Sequence, residues 1–441
     1  MIRYKSFRDM LENQDGNNVA LEFFNGTQRC QLSYQQLLEK MADYPLPKQQ
    51  VVGILCDGQA DTIVAILALA SRRQLVMLGA DDNIDQLKEQ IRATSVQTLI
   101  GNEELKEQLS DSLCLESTVM DNDILFFTSG TTYSSKAVVL SEQSLINATY
   151  NGGSLLPLKA EDRLLNVLPV SHVFGLVCSL LWPLSFGATV CLSRGLTSFF
   201  FDFDVYKPTA VTLVPQMAGF LAARRMFNQE LKLVLIGAGD CPQEVLQLIS
   251  SQGIRVSFGY GLTESSSGIA LSLGDEPKAM TICPDYEVRI AEDGEIMVHS
   301  STTLMKGYYK DPQRTAEVLA DNWLKTGDLG RLDEAGRLHI TGRKKEILVC
   351  RDGTKIFLPE YEARLQKLLG LEADFAVIQD KDARIVLYIH TNDPVEQKID
   401  QFNETLPRGN RIAYVFYGAK ALPRTKTNKV KRYLLKIQEE D

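Results

Sequence analysis

The chain has 441 residues, 44% of them hydrophobic and 23% charged, with a formal net charge of −9; this is the composition of a globular protein with room for two or three domains. The acidic balance argues against a nucleic-acid or anionic-membrane surface, although local basic clusters can still bind small anions. Eight cysteines without any CxxC or Cys/His metal spacing fit reduced thiols in a cytoplasmic protein better than a disulfide frame or a zinc site.

The opening residues 1–8 carry basic side chains but neither an apolar core nor a small-residue cleavage site, so no signal peptide is expected. A strand is expected near residues 20–24, and Ser33 is placed to cap a helix over 34–41. A βαβ pattern follows: strand 51–55, apolar helix 60–71, strand 75–78, helix 86–93 and strand 96–100. That alternation predicts a parallel sheet covered by helices. Residues 101–121 are polar and poorly periodic and read as a connection.

The run 123–140 comes next. Residues 124–128 are apolar or β-branched and read as a buried strand, and Val138, Val139 and Leu140 resume one after the loop. Between them Gly130 lets the backbone bend, Thr128, Ser129, Thr131, Thr132, Ser134 and Ser135 supply hydroxyls, and Lys136 supplies a cation. Such a loop suits a polyphosphate; a flexible Ser/Thr linker is rarely clamped between two apolar runs. It is not a Walker A loop, because the chain contains no Gly-Lys dipeptide.

Ser141 then caps a helix with Glu142 in its first turn. The chain has four histidines, and His172 stands between a Pro turn and a Phe-Gly step in Pro169-Val-Ser-His-Val-Phe-Gly175. By itself it reads as an ordinary core or surface histidine. The apolar tract 174–192 is near membrane-spanning length, but Gly175, Ser179, Pro183, Ser185, Gly187 and Thr189 interrupt it, so a buried helix followed by a strand is expected. Strand 209–215 ends in Pro215, and strand 231–239 ends in Gly237-Ala238-Gly239. A lone GxG is a weak dinucleotide signal, and Pro242 stands at the third glycine position.

Residues 256–264 form a strand feeding a Gly-Tyr-Gly turn, which puts the ring of Tyr260, the hydroxyl of Thr263 and the carboxylate of Glu264 within five residues. Residues 283–305 alternate with period two around Asp293-Gly294, predicting a small antiparallel β unit. Asp328 follows a Thr-Gly turn, where a carboxylate can accept from two vicinal hydroxyls. After Gly342-Arg343-Lys344-Lys345, a hairpin around Arg351-Asp352-Gly353-Thr354, a helix from Pro359 to 369 and strands at 375–379, 385–389 and 412–416 predict a small α+β domain. Residues 423–432 carry five cations in ten positions, a pattern that alone describes a solvated basic face.

Taken in order, these motifs resemble those of the adenylate-forming superfamily, which includes acyl-CoA synthetases, carrier-protein-loading adenylation domains and firefly-type luciferases. The resemblance runs from about Val51 to Arg432. It implies an α/β protein: a large N-terminal domain, 1–344, of helix-covered, mainly parallel sheets plus a small β unit, then a small mobile α+β domain, 345–441, hinged near Lys345. It implies ATP, Mg2+ and coenzyme A, or a carrier-protein phosphopantetheine in its place, acting on a small carboxylic acid, with no nucleic acid and no membrane span. Thr128, Ser129, Gly130, Thr131, Thr132 and Lys136 then hold phosphates. Tyr260 and Gly261 face adenine, with Gly237, Ala238 and Gly239 as close-approach backbone. Thr263 takes the α-phosphate, Glu264 the magnesium and Asp328 the ribose, while Arg343 reaches ribose or phosphate. His172 borders the acid pocket and the thiol tunnel, and Lys429 bridges acid and α-phosphate. When the small domain rotates about Lys345, the hairpin bearing Gly353 replaces Lys429.

The run 171–175 has no carboxylate to hold an ammonium group, so an acid lacking an α-amine is expected. Tyr133, Ser135 and Ala137 depart from the Gly, Pro and Gly of the superfamily's loop, and Asn428 replaces a Gly. Those departures motivate a degenerate nucleotide binder as one alternative, and carrier-protein loading is the other. Retention of Lys136, Glu264, Asp328, Arg343 and Lys429 argues for activity.

Overall fold

The structure is a computed structural model that describes residues 4–115, 121–128, 136–195, 198–273, 276, 278–350, 355–370, 373–424, 430 and 432–435. Ser129, Gly130, Thr131, Thr132, Tyr133, Ser135, Gly353 and Lys429 lie outside the described residues.

The βαβ run builds a six-stranded sheet in the order Gly307–Tyr308, Lys136–Ser141, Asp123–Thr128, Gln74–Gly79, Val51–Cys56 and Thr98–Ile100. The last four strands of that order are parallel, with Val52 opposite both Leu75 and Thr98, and Leu75 opposite Ile124. Every residue of Val51–Cys56 is buried, as expected where helices cover both faces. The ladder turns antiparallel at the hydroxyl-rich loop, where Thr128 stands opposite Lys136. Ser33 caps the helix Tyr34–Asp43 in a reciprocal arrangement with Gln36.

A fourteen-stranded sheet takes up much of the rest. Its parallel centre is Thr189–Leu192, Arg163–Asn166, Ala210–Leu213 and Leu233–Ile236. The strand Arg255–Leu262 then changes partner type along its length. Residues 255–258 run parallel to Leu233–Ile236, and residues 259–262 run antiparallel to Ser267–Ser272. The antiparallel strands expected as a small β unit are therefore continuous with the large sheet.

One local expectation needs correction and two elements add detail; the buried helix followed by a strand expected after His172 is found, its strand being Thr189–Leu192. The connection 101–121 contains the helix Glu103–Leu109, whose cap is the Asn102 side chain accepting from the Leu105 amide at 3.0 Å. Gln28–Ser33 is a strand, paired antiparallel with Val19–Asn25. The buried helix after His172 is a π-helix, Gly175–Leu181, running into Trp182–Leu184. The widening lies just ahead of Pro183, which has no amide to donate to the preceding turn.

Beyond Arg343, the hairpin Ile347–Val349 with Lys355–Phe357, the helices Leu358–Leu369 and Glu396–Glu404, and the sheet Asp374–Gln379, Ile385–His390 and Ile412–Tyr417 pack together. Leu365, Val377, Leu387, Phe402 and Ile412 share a core whose members all lie after Lys345. No helix among the described residues is long and apolar enough to cross a membrane.

Candidate active site

The strand Arg255–Leu262 delivers the 3-10 turn Thr263–Ser265 at its carboxyl end. Ser265 stitches that turn shut: its hydroxyl accepts from the Leu262 amide at 3.0 Å, and its carbonyl accepts from the Tyr286 hydroxyl at 2.5 Å. Gly261 is required by close approach, since a β-carbon there would lie 1.8 Å from the Ser267 carbonyl oxygen. Ser266 and Ser267 both hold left-handed backbone, at φ +54° and +102°. Thr263 and Glu264 thus sit on a tight, strained turn fixed from both sides.

On one side of this turn, the Tyr260 hydroxyl donates to Asp328 Oδ2 at 3.0 Å and Arg343 Nε meets Asp328 Oδ1 at 2.9 Å. Asp328 and Arg343 are cross-strand partners, and Gly327 turns the chain at φ +72° just before the carboxylate. Burial pushes the Asp328 carboxyl above its ordinary pKa, opposed by the Arg343 charge and the Tyr260 hydrogen bond. Burial and the facing Asp328 charge likewise raise the Tyr260 phenol well above its usual value.

On the other side, the Tyr308 hydroxyl donates to Glu264 Oε1 at 2.8 Å, and Lys136 Nζ lies 4.7 Å from the centre of the Tyr308 ring. Lys136 is held below the ordinary lysine pKa by burial, then by repulsion from Arg314 and Lys345, with Glu264 and Asp311 opposing. A polyanion placed beside Lys136, Arg314 and Lys345 would relieve the repulsion that acts on Lys136.

The histidine segment approaches the same region. His172 is exposed; its amide donates to the Pro169 carbonyl at 3.1 Å, and its own carbonyl accepts from Leu176 at 2.9 Å. Phe174 packs against Gly237, where a β-carbon would lie 2.9 Å from Phe174 Cζ. Ala238 follows in left-handed backbone at φ +64°, and both Ala238 and Gly239 are exposed. Cys178 Sγ lies 3.5 Å from Ser267 Oγ, tying the π-helix to the turn that carries Glu264.

At the junction, Lys344 Nζ meets Asp293 Oδ2 at 2.6 Å and Glu295 Oε2 at 2.8 Å, while Glu295 Oε1 accepts from the Gly327 amide at 2.8 Å. Lys345 is exposed in the 3-10 turn Lys344–Glu346. Arg424 and Val430 form an isolated bridge, and Arg424 pairs with Asp374.

The residues singled out in the sequence thus gather as Tyr260, Asp328 and Arg343 on one side of Thr263–Ser265, with Glu264, Lys136 and Lys345 on the other. Thr128 closes the ladder opposite Lys136. Sequence reasoning missed Tyr308. It lies in a two-residue strand too short to show a period, and its only signal was a Gly-Tyr-Tyr step beside an Asp-Pro helix start.

Among the described residues no group of three or more His, Cys, Asp or Glu side chains could hold a metal ion. A lone carboxylate beside Lys136 still fits magnesium carried in on a polyphosphate, because that ion is commonly held by one or two carboxylates plus substrate phosphates.

Thr128 ends one strand, and Thr263 and Glu264 follow the end of another. The model of the AMP-binding enzyme family matches residues 12–309, and the chain belongs to that family. It is 27% identical to the long-chain-fatty-acid–CoA ligase FadD13 of Mycobacterium tuberculosis, over 96% of this chain and 88% of that protein. It is 25% identical to the 2-succinylbenzoate–CoA ligase of Bacillus cytotoxicus, over 91% of each. Among solved structures, the O-succinylbenzoate coenzyme A synthetase of Bacillus subtilis in complex with AMP superposes with a TM-score of 0.82 at 21% identity, covering 99% of this chain and 98% of that one. The superfamily and the α/β fold class expected from the motifs both hold.

Proposed function

We propose that the chain is an AMP-forming acid–thiol ligase, which activates a carboxylic acid as its acyl adenylate, releases pyrophosphate and passes the acyl group to the thiol of coenzyme A. The observation that carries this reading is the Tyr260–Asp328–Arg343 network on one side of the Thr263–Ser265 turn, with Glu264 and Lys136 on the other. It offers a diol acceptor and a polyphosphate receptor at the two ends of one nucleotide-sized site.

In the first step a carboxylate oxygen attacks the α-phosphorus as the bond to pyrophosphate breaks. Both reactants are anions, so the site must neutralise charge and align them. Lys429 bridges the acid and the α-phosphate, and Thr263 holds the α-phosphate. Lys136, with Thr128, Ser129, Gly130, Thr131 and Thr132, steadies the leaving pyrophosphate. Glu264 would hold magnesium carried on the nucleotide, which would neutralise phosphate charge there. Asp328 accepts from the ribose hydroxyls beside Arg343, and adenine lies between Tyr260, Gly261 and the Gly237–Ala238–Gly239 backbone.

In the second step the thiolate attacks the carbonyl carbon and AMP leaves. The unit beginning at Lys345 turns for this step, withdrawing Lys429 and presenting Gly353. His172 and Phe174 stand in the run 171–175, which carries no carboxylate, and this favours acyl or aryl acids over α-amino acids. Free coenzyme A is the acceptor rather than a carrier protein, in line with the relatives being named as CoA ligases. The eight free cysteines support a reducing, cytoplasmic setting.

Acid-dependent ATP–pyrophosphate exchange over a panel of fatty, aromatic and amino acids tests the first step. Thioester formation with coenzyme A, against a pantetheinylated carrier protein, tests the second. Exchange with α-amino acids alone overturns the pocket reading, and ATP binding without exchange for any acid overturns the ligase.

A further inference from the structure

The segment 305–309 is bonded at both ends of the phosphate side of the site. The Met305 amide donates to the Glu264 carbonyl at 2.9 Å, the Lys306 amide to the Val139 carbonyl at 2.9 Å, and the Tyr309 amide to the Ala137 carbonyl at 2.8 Å. Gly307 and Tyr308 pair with Val139 and Val138, on the strand that begins with Lys136. The short strand therefore joins the edge of the six-stranded sheet to the turn that ends Arg255–Leu262 in the other sheet.

Tyr308 is the one side chain of this strand that touches both functional groups. Its ring supports Lys136 and its hydroxyl donates to Glu264. The residue is only 8% exposed, and its amide is fixed by Thr315 Oγ1 at 2.9 Å, so the phenol has little freedom to move. A carboxylate that accepts a hydrogen bond on one oxygen is oriented with the other directed elsewhere, which is how ligands of metal ions are commonly held. A cation above an aromatic face is held at the same time. Without the phenol, the backbone bonds of residues 305–309 still join the two sheets, but mutual charge is what remains between the Lys136 and Glu264 side chains.

We propose that Tyr308 is a positioning residue that fixes the Glu264 carboxylate and the Lys136 ammonium relative to each other, so that one polyphosphate and its magnesium ion are met together. This rests on the ligase reading for the identity of the ligand.

The test uses the full chain and ATP binding measured by calorimetry without any acid, with magnesium titrated at fixed ATP. Tyr308→Phe keeps the ring under Lys136 and removes the donor. The half-saturating magnesium concentration then rises about tenfold, while ATP affinity at saturating magnesium stays within about twofold. Tyr308→Leu removes the ring as well and adds a loss of ATP affinity of roughly threefold or more. A Phe variant whose magnesium curve superimposes on the wild type overturns the proposal. So does a Phe variant that loses ATP affinity and thermal stability together with unchanged magnesium dependence, which is the mark of a packing role. Wild-type protein that binds ATP regardless of magnesium overturns it together with the role given to Glu264. Magnesium dependence that shifts as stated, in a protein that exchanges pyrophosphate with no acid, supports the proposal and sinks the ligase reading alone.

Discussion

Asp328 is a carboxylate whose burial favours its neutral form, against a neighbouring guanidinium and phenol that favour the charge. Accepting two ribose hydroxyls requires the charged form. ATP affinity therefore falls as pH drops through the raised pKa, and Asp328→Asn flattens this acid limb while weakening ATP binding about tenfold or more. Affinity measured from pH 5 to 8 in both proteins checks it. For folding the sign is opposite: an acid with a raised folded pKa stabilises most below its unfolded pKa, and that contribution is lost as pH rises through the folded one. Lys136 is displaced the other way, below the 10.5 of an ordinary lysine. ATP affinity accordingly declines on the alkaline side before a normal lysine would titrate, and Lys136→Arg, which does not deprotonate there, removes that decline. In the proposed mechanism Lys429 serves the first step only. Lys429→Ala loses adenylate formation by about a hundredfold or more, yet it converts supplied acyl adenylate and coenzyme A to thioester at near wild-type rate; equal loss in both steps refutes the division.

The strand Arg255–Leu262 is the element on which the site depends, and Gly261 is its most constrained position. Gly261→Ala drives a β-carbon into the Ser267 carbonyl, a backbone atom that cannot yield by changing rotamer. The expected loss is about 3 kcal/mol, seen as a lower denaturant midpoint, with the slope unchanged if only the native state is affected. Elements of this kind were legible in the sequence where the cause is local. The capping of Tyr34–Asp43 by Ser33, the apolar run of Ala60–Leu69 and the Gly-Tyr-Gly turn each declare themselves within a few residues. Glu103–Leu109 did not, because seven mostly polar residues carry too few apolar positions to show a helical period. The π-helix Gly175–Leu181 was hidden for the opposite reason, since an almost wholly apolar run has no face from which to read a pitch. The continuity of the antiparallel strands with the parallel ones is a matter of pairing between distant segments, to which local pattern is blind. Tyr308 belongs to the same class: its importance comes from two partners, 44 and 172 positions away in the chain.

At the scale of the molecule, the cores that support the nucleotide site draw on residues no later than Ile340, and the core after the junction draws on none before Leu348. A chain of residues 1–344 is therefore expected to fold and bind ATP within a few-fold of the full protein, while losing pyrophosphate exchange because Lys429 is gone. Calorimetry and exchange on that fragment check both halves. Lys344 bears on the proposed turning of the remainder. Its ammonium is fastened by Asp293 and Glu295, and Glu295 is braced in turn by the Gly327 amide. In the proposed rotation, torque from the turning unit thus stops at Lys344, and the twist falls on the peptide link that follows. Because this fastening is ionic and partly exposed, dissolved salt can slacken it, spreading the twist over more of the backbone and blurring the angle at which the unit comes to rest. Thioester formation from supplied acyl adenylate is then slowed by added potassium chloride in the native chain. Lys344→Met begins slow and stays indifferent to salt.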